Sequence, residues 1–438
     1  MRRATGRPRA LGWLLVAEAI SFTGSRVSFL AVPWLVLATT GSAARTGLVA
    51  FAEMLPYVLA SALGGPVIDR RGARRMSIGA DVASAAAISL VPVLHWLDLL
   101  AFGGLVGVIA VAGALRGIGD IAKRALLPAA VEASQADLTR ANGLHDGVDR
   151  SSLLVGAAVG GVLIAWLGPA DVLMVDGLSF GLSAVIVAAG VRLRPTPATA
   201  PGSPTGTPPV TEAHPGEVPQ PYAAAFRAGL DHLRRDRLIV GMAVMVALTN
   251  LLDQAHQAVF VPVWVQESVG SPRALGLVFG ALGVGALVGN LVFAVLAPRL
   301  PRYATFSLCF LLGGGPHMIV MAATDSVAVM MAVMFASGVL CAAINPILSA
   351  VMYERIPPDL RARVLGLTRA LSWVGIPLGG LLGGLAAEGL GLVPSVLLTG
   401  GLYVTISLVP LVRPGWRREI ERPRRPPRRA AVPSLARA

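Results

Sequence analysis

Apolar residues run through this chain in long blocks, broken at near-regular intervals by short polar or Gly- and Pro-rich stretches. A helix needs about 20 apolar residues to cross a bilayer. Twelve blocks meet that length: residues 11–38, 47–69, 76–96, 99–121, 144–167, 171–192, 238–265, 274–297, 303–323, 326–352, 364–387 and 391–412. Several are joined by very short turns, such as His95-Trp96-Leu97-Asp98 and Gly168-Pro169-Ala170. A longer interval, 195–221, is rich in Pro, Thr, Gly and Ala and is expected to be a disordered linker. Tyr222 to Arg237 follows, with Phe226, Leu230 and Leu233 at helical spacing, and its arginines suit an amphipathic helix on the membrane surface. The pattern predicts an all-α membrane protein with twelve transmembrane helices in two pseudo-symmetric halves. Its expected parts are a basic tail (1–10), a six-helix half (11–194), a linker with an amphipathic helix (195–237), a second six-helix half (238–412) and a disordered basic tail (413–438).

Composition sharpens this picture. Hydrophobic residues make up 55% of the 438 and charged residues only 14%, against about 25% charged in a soluble protein. The net charge of +13 could suit nucleic acid, but the charges lie between and outside the apolar blocks, so no nucleic-acid partner is expected. Of the 37 Lys and Arg residues, 32 fall in segments on one side of the twelve spans. Only Arg45 and Arg273 lie on the other side, and Arg26, Arg116 and Arg369 lie within spans. Basic residues mark the cytoplasmic face, so both chain ends are expected in the cytoplasm of a bacterial cell membrane. The first apolar run is too long for a signal peptide and reads as a membrane helix. Cys309 and Cys341 fall inside spans and read as small packing residues. No metal-spaced His/Cys cluster, phosphate-binding G-x-x-x-x-G-K-S/T loop or recognisable enzyme motif is present. An enzyme, a metal, a cofactor and direct use of ATP are therefore not expected.

One dense charge cluster interrupts the first half, Gly64-Gly65-Pro66-Val67-Ile68-Asp69-Arg70-Arg71-Gly72-Ala73-Arg74-Arg75. It resembles the loop between the second and third helices of the major facilitator superfamily, G-x-x-x-D-R-x-G-R-R. Gly65, Asp69, Arg70, Gly72, Arg74 and Arg75 match, and Ala73 stands where that family often has a basic residue. The resemblance implies a conformational latch formed by this loop, with Arg116 and Asp120 of span four as partners.

The halves also repeat each other. Val32-Pro33 in span one recurs as Val261-Pro262 in span seven, and Val155-Gly156 through Gly160-Gly161 in span five recurs as Val374-Gly375 through Gly379-Gly380 in span eleven. A 6+6 transporter requires such correspondence and places its substrate between the halves. Gly156, Gly160, Gly161, Gly375, Pro377, Gly379 and Gly380 are expected to let helices approach closely. Pro377 keeps a proline that exporters of the superfamily often show in span five, where this chain has Ala157. Ser21-Phe22-Thr23-Gly24-Ser25, Asp176-Gly177-Leu178-Ser179-Phe180 and the loop Ile356 to Leu365 resemble the branch of siderophore (enterobactin-type) exporters and macrolide efflux proteins.

Charges inside a membrane are costly and mark function. Arg26 (span one) and Asp253 (span seven, beside His256) occupy equivalent spans and are expected near one level, binding or gating a polar substrate or a proton. Glu53 and Glu18 are further candidates, because carboxylates that lose hydration can exchange protons near neutral pH. A structural ion pair and a merely packed His256 are the plain alternatives. Asp81 opens span three. The reading is a secondary active transporter, working as a monomer by alternating access, that exports amphipathic organic compounds (a drug, antibiotic or siderophore) in exchange for protons. The alternatives are an importer of a small metabolite on the same fold, and a receptor or scaffold on an inactive transporter fold.

Overall fold

The computed structural model describes residues 10–191, 222–357 and 360–421. Among these, every regular element is a helix. Twelve helices are long and apolar enough to span a membrane: α1 (Ala10–Thr40), α2 (Ala43–Leu63), α3 (Ala73–Trp96), α4 (Phe102–Ser134), α5 (Arg140–Leu167), α6 (Val172–Gly190), α7 (Arg237–Ser268), α8 (Pro272–Arg299), α9 (Arg302–Met321), α10 (Val327–Arg355), α11 (Arg363–Leu390) and α12 (Leu392–Val412). Polar caps start several of them, satisfying backbone N–H groups that have no partner within the helix. The Ser42 hydroxyl accepts from Arg45 N at the start of α2, and the Asp236 carboxylate accepts from the amides of Leu238 and Ile239 at the start of α7. The outer surface is apolar, with Trp166, Val295 and Val412 largely exposed. Lipid, rather than water, suits such a surface.

Two boundaries depart from the sequence reading. Helix α4 runs on to Ser134 instead of ending at residue 121, which carries Lys123 and Arg124 into a helix rather than a loop. Helix α5 begins by Arg140 rather than at 144. Both helices extend past the hydrophobic block because a charged face can continue a helix where it meets partners in the bundle.

In the first half α2 packs on α4, α3 on α4 and α6, and α1 on α5 and α6. In the second, α7 packs on α11, α8 on α10 and α9 on α12. The halves meet along two seams, α2 with α11 and α5 with α8. Glycine makes both seams possible. A methyl group at Gly161 would sit 2.7 Å from Cα of Gly276, and one at Gly384 would sit 2.6 Å from the Ala43 carbonyl oxygen. These positions lie away from the side where Ala10 and Val412 sit, here termed the basic side.

The apolar core follows the same division. One continuous cluster joins Trp34 and Leu35 of α1 to Phe260 and Trp264 of α7 and Phe279 of α8, toward the far side. In the second half that cluster also runs on to Trp416 and Ile420 at the basic side, where two smaller clusters each stay within one half: Leu14, Leu126 and Val187 in the first, and Leu233, Ile239 and Val364 in the second. No apolar cluster joins the halves toward the basic side among the described residues, and the partly exposed Arg26 and Asp149 mark this gap between the halves, here termed the cleft.

Three expectations for the connecting segments meet different fates. The linker 195–221 and the first tail residues, 1–9, lie outside the described residues. The amphipathic segment is a helix, Tyr222–Arg235, but it is docked on the second half through buried Leu233, with Arg227, Arg234 and Arg235 exposed. The tail expected to be disordered from 413 begins with a helix, Pro414–Glu421. Trp416 buries its ring beside Gly241, and Arg355 at the end of α10 grips both Asp236 (2.8 Å) and Glu419 (3.0 Å). The aromatic anchor and the charge pair explain why this part of the tail is ordered.

Candidate functional site

Helix α4 carries Arg116, Asp120 and Lys123 four and three residues apart, a spacing that puts all three on one face. That face points into the first half, and each residue meets a partner there. Arg116 Nη1 lies 2.8 Å from Glu53 Oε1 of α2. The Tyr57 hydroxyl, one turn further along α2, donates to Asp120 Oδ2 at 3.1 Å. The Arg116 guanidinium also stands over the Tyr57 ring, 5.0 Å from its centre. Lys123 Nζ lies 2.9 Å from Asp81 Oδ1 of α3 and donates to Ser21 Oγ of α1 at 2.9 Å. Asp81 accepts a further bond from the Ser183 hydroxyl of α6 at 2.7 Å. Lys123 and Asp81 side chains are 1% and 2% exposed. A charge so deep persists only when paired and hydrogen-bonded, because stripping its water costs several kcal/mol (of order 3–5) if no partner compensates.

Above this ladder, toward the middle of the half, Asp176 of α6 accepts hydrogen bonds from the hydroxyls of Ser28 and Ser179, the latter at 3.2 Å. Ser28, Glu53, Ser84, Arg116 and Asp176 line one small cavity of about 20 Å3, room for about one water. The buried Ser84 hydroxyl has no hydrogen-bond partner among the described residues.

Toward the cleft, Arg26 Nη2 pairs with Asp149 Oδ1 of α5 at 3.0 Å, and the two side chains are 36% and 50% exposed. Arg26 therefore turns to its own half, and the alternative of a structural ion pair between Arg26 and Asp253 is not formed among the described residues. Asp253 stands on α7 without an ion pair among the described residues, just before a π-helical turn, His256–Phe260. His256 is buried edge-on to His317 of α9, ring centres 4.6 Å apart, and neither of its ring nitrogens has a hydrogen-bond partner among the described residues. Glu18 is fully buried and bonds His145 Nδ1 of α5 at 2.8 Å.

The expected latch is arranged differently. Asp69 sits exposed on a short helix, Gly65–Arg71, and no ion pair joins it to Arg116 or to its own loop arginines among the described residues. Arg74 instead donates to the carbonyl oxygens of Val191 (2.7 Å) and Ala188 (2.5 Å), capping the end of α6. Arg70, Arg71 and Arg75 are exposed. Arg116 and Asp120 belong to the buried ladder with Glu53 and Tyr57 rather than to the loop. Gly65 and Gly72 bound the short helix, Gly72 with φ of 85°, where a side chain would be strained.

The glycine motifs divide their work. Gly156 and Gly160 bring α5 against α1, next to Arg26 and Val27, while Gly161 forms the seam to α8. Gly375 and Gly379 bring α11 against α7, while Gly380 faces Ala50 across the α2 seam. Pro377 is buried just beyond a break in α11 between Trp373 and Ile376. Cys309 and Cys341 are unpaired thiols in the spans.

Sequence reasoning missed Lys123, Tyr57, Asp176 and His317 as site residues. The face shared by Arg116, Asp120 and Lys123 was the available signal for the first.

Comparison with known proteins adds to this geometry. A family model described as Major Facilitator Superfamily matches residues 14–253 and 243–437. The chain is 31% identical to the multidrug efflux pump Tap of Mycobacterium tuberculosis over 424 residues, 95% of this chain and 96% of that protein. It is 22% identical to macrolide efflux protein A of Streptococcus pyogenes over 90% of this chain and 93% of that one. Among solved structures, the nucleoside transporter NupG shares the fold with a TM-score of 0.71 at 11% identity, covering 92% of this chain and 98% of that one. A bacterial homologue of the human lysosomal transporter Spinster gives 0.66 at 14% identity, covering 96% and 98%.

Proposed function

The chain belongs to the major facilitator superfamily, and from that premise we propose that it is a secondary active exporter that exchanges protons for amphipathic organic compounds, drugs or antibiotics among them. The observation that carries this reading is the similarity to a multidrug efflux pump along 95% of the chain, both halves included. The site chemistry supports it. The buried ladder and the Asp176 pocket hold four carboxylates (Glu53, Asp81, Asp120, Asp176) but two cations (Arg116, Lys123). Uncompensated charge in a membrane is expensive, so protons must make up part of the balance, and proton-binding groups are what an antiporter needs.

In this reading the basic side faces the cytoplasm and the cleft admits substrate from there, past Arg26 and Asp149 of the first half and Asp253 of the second. The halves then rock: the basic side closes and the glycine seams part. Asp69 and Arg74 serve as a latch in the closed form of the basic side, where Arg74 would exchange its α6 carbonyls for partners across the cleft.

The test is dye accumulation in cells. Cells producing the protein are expected to hold less of a fluorescent cationic dye than cells without it, and a protonophore is expected to abolish the difference. Asp69→Asn is expected to lose most of the export. Dye held at equal levels with and without the protein would remove the multidrug reading, and dye concentrated by the protein would favour import.

A further inference from the structure

The exchanged proton needs a particular home, and the charge pattern of the first half singles one out. We infer that Asp176 is the carboxylate that holds it, with Arg116 moving between Glu53 and Asp176 to drive it off. The inference rests on the proton-coupled reading above and names the group that this reading leaves open.

The groups that face Asp176 come from five helices. Helix α1 supplies the Ser28 hydroxyl and α6 itself the Ser179 hydroxyl. Helix α2 supplies Glu53 and, a turn lower, Tyr57. Helix α3 supplies Ser84, with Asp81 further toward the basic side. Helix α4 supplies Arg116, followed by Asp120 and Lys123.

Two of the four carboxylates hold a cation each where they stand. Glu53 has Arg116 at 2.8 Å, and Asp81 has Lys123 at 2.9 Å. Asp120 lies between these two cations on the same helix face and accepts from Tyr57. Asp176 is different: it is 1% exposed, and its hydrogen-bond partners among the described residues are hydroxyls. A buried carboxyl group with neutral partners is held most cheaply with its proton on.

The same pocket shows how that proton leaves. Arg116, Glu53 and Asp176 line one cavity with room for about one water, and the unpartnered Ser84 hydroxyl points to polar content there. Glu53 is the most exposed of the two carboxylates, at 12% for its side chain. A cationic compound in the cleft that pairs with Glu53 takes the place of the guanidinium. Arg116 then turns to Asp176, the O–H bond of Asp176 breaks, and the proton passes to the cavity water and out past Glu53 into the cleft. Charge balances: one organic cation enters as one proton leaves. When the cation departs, a proton returns to Asp176 and Arg116 to Glu53.

The test uses the full-length protein in lipid vesicles and two readouts. Infrared difference spectra of wild type against Asp176→Asn, near neutral pH and without any substrate, are expected to show the carbonyl stretch of a protonated carboxylic acid that the variant lacks. Asp176→Glu is expected to keep such a band, shifted. Tetraphenylphosphonium binding is expected to tighten in wild type as pH rises, by up to roughly tenfold per pH unit as one proton is displaced per ion bound. In Asp176→Asn that slope is expected to be flat with binding retained. Identical carboxylic-acid bands in wild type and Asp176→Asn would overturn the assignment, as would an unchanged pH slope. Absence of tetraphenylphosphonium binding to wild type would count against the exporter reading instead, while the infrared comparison would still decide on Asp176.

Discussion

Lys123 and Asp81 are buried as deeply as any leucine of the core, at 1% and 2% exposure, with Ser21 and Ser183 completing their hydrogen bonds. Breaking such a pair leaves one bare charge in a low-dielectric interior and costs about 3–5 kcal/mol, whereas replacing both members by apolar groups is often nearly neutral. Lys123→Ala is therefore expected to lower the thermal melting point of the detergent-solubilised protein strongly. Lys123→Met combined with Asp81→Val is expected to recover most of the loss. A double variant as unstable as the single one would show that the pair does more than satisfy itself. A contrast is expected at Arg355. It is 7% exposed and holds two carboxylates, so Arg355→Ala is expected to cost about 3–5 kcal/mol. Glu419, 44% exposed, gains only what a screened surface pair gives, so Glu419→Ala is expected to cost about 0–1 kcal/mol. Equal losses for the two variants in a thermal melt would contradict this assignment.

At the scale of elements, the seams depend on bare backbone. Gly161 meets Gly276 where an added methyl would lie 2.7 Å from Cα, and Gly384 meets Ala43 and Gly47 as closely. Gly161→Val and Gly384→Val are expected to fold but to hold the far side apart, cutting export to less than about a tenth of wild type, a loss of more than about 1.4 kcal/mol in rate terms. Cysteine pairs placed across each seam are expected to cross-link in wild type and to lose that cross-link in the variants. Much of this level was legible in the sequence. Block lengths gave the twelve spans, and the repeated Val-Gly-x-x-x-Gly-Gly segments pointed to α5 and α11 as close-packing helices. The end of α4 was not legible. Lys123-Arg124 after an apolar block looks like a cytoplasmic flank, and only the partners on α1, α3 and α6 reveal that Lys123 lies inside. Asp176 lies in the Asp-Gly-Leu-Ser-Phe motif, yet nothing in its neighbours along the chain says that Ser28, 148 residues away, would bond it. Arg26 likewise chose Asp149 over Asp253, a choice fixed by the packing of α5 on α1 through Gly156.

For the molecule as a whole, the halves share apolar core toward the far side and none toward the basic side among the described residues, and the proposed rocking is expected to reverse that arrangement. Spin labels at Arg71 and Arg299 report the basic side, and labels at Arg45 and Gly389 the far side. Substrate with a proton gradient is expected to shorten the first distance and lengthen the second in the same samples. Both distances changing in the same sense would speak against rocking about a central site. The central claim, exchange of protons for an organic cation, is tested most directly with purified protein in liposomes under an imposed pH gradient. The expected result is that a fluorescent cationic dye accumulates against its own gradient in the acidic lumen, and that adding dye speeds the collapse of the pH gradient. Dye that only equilibrates, at a rate indifferent to the pH gradient, would contradict it.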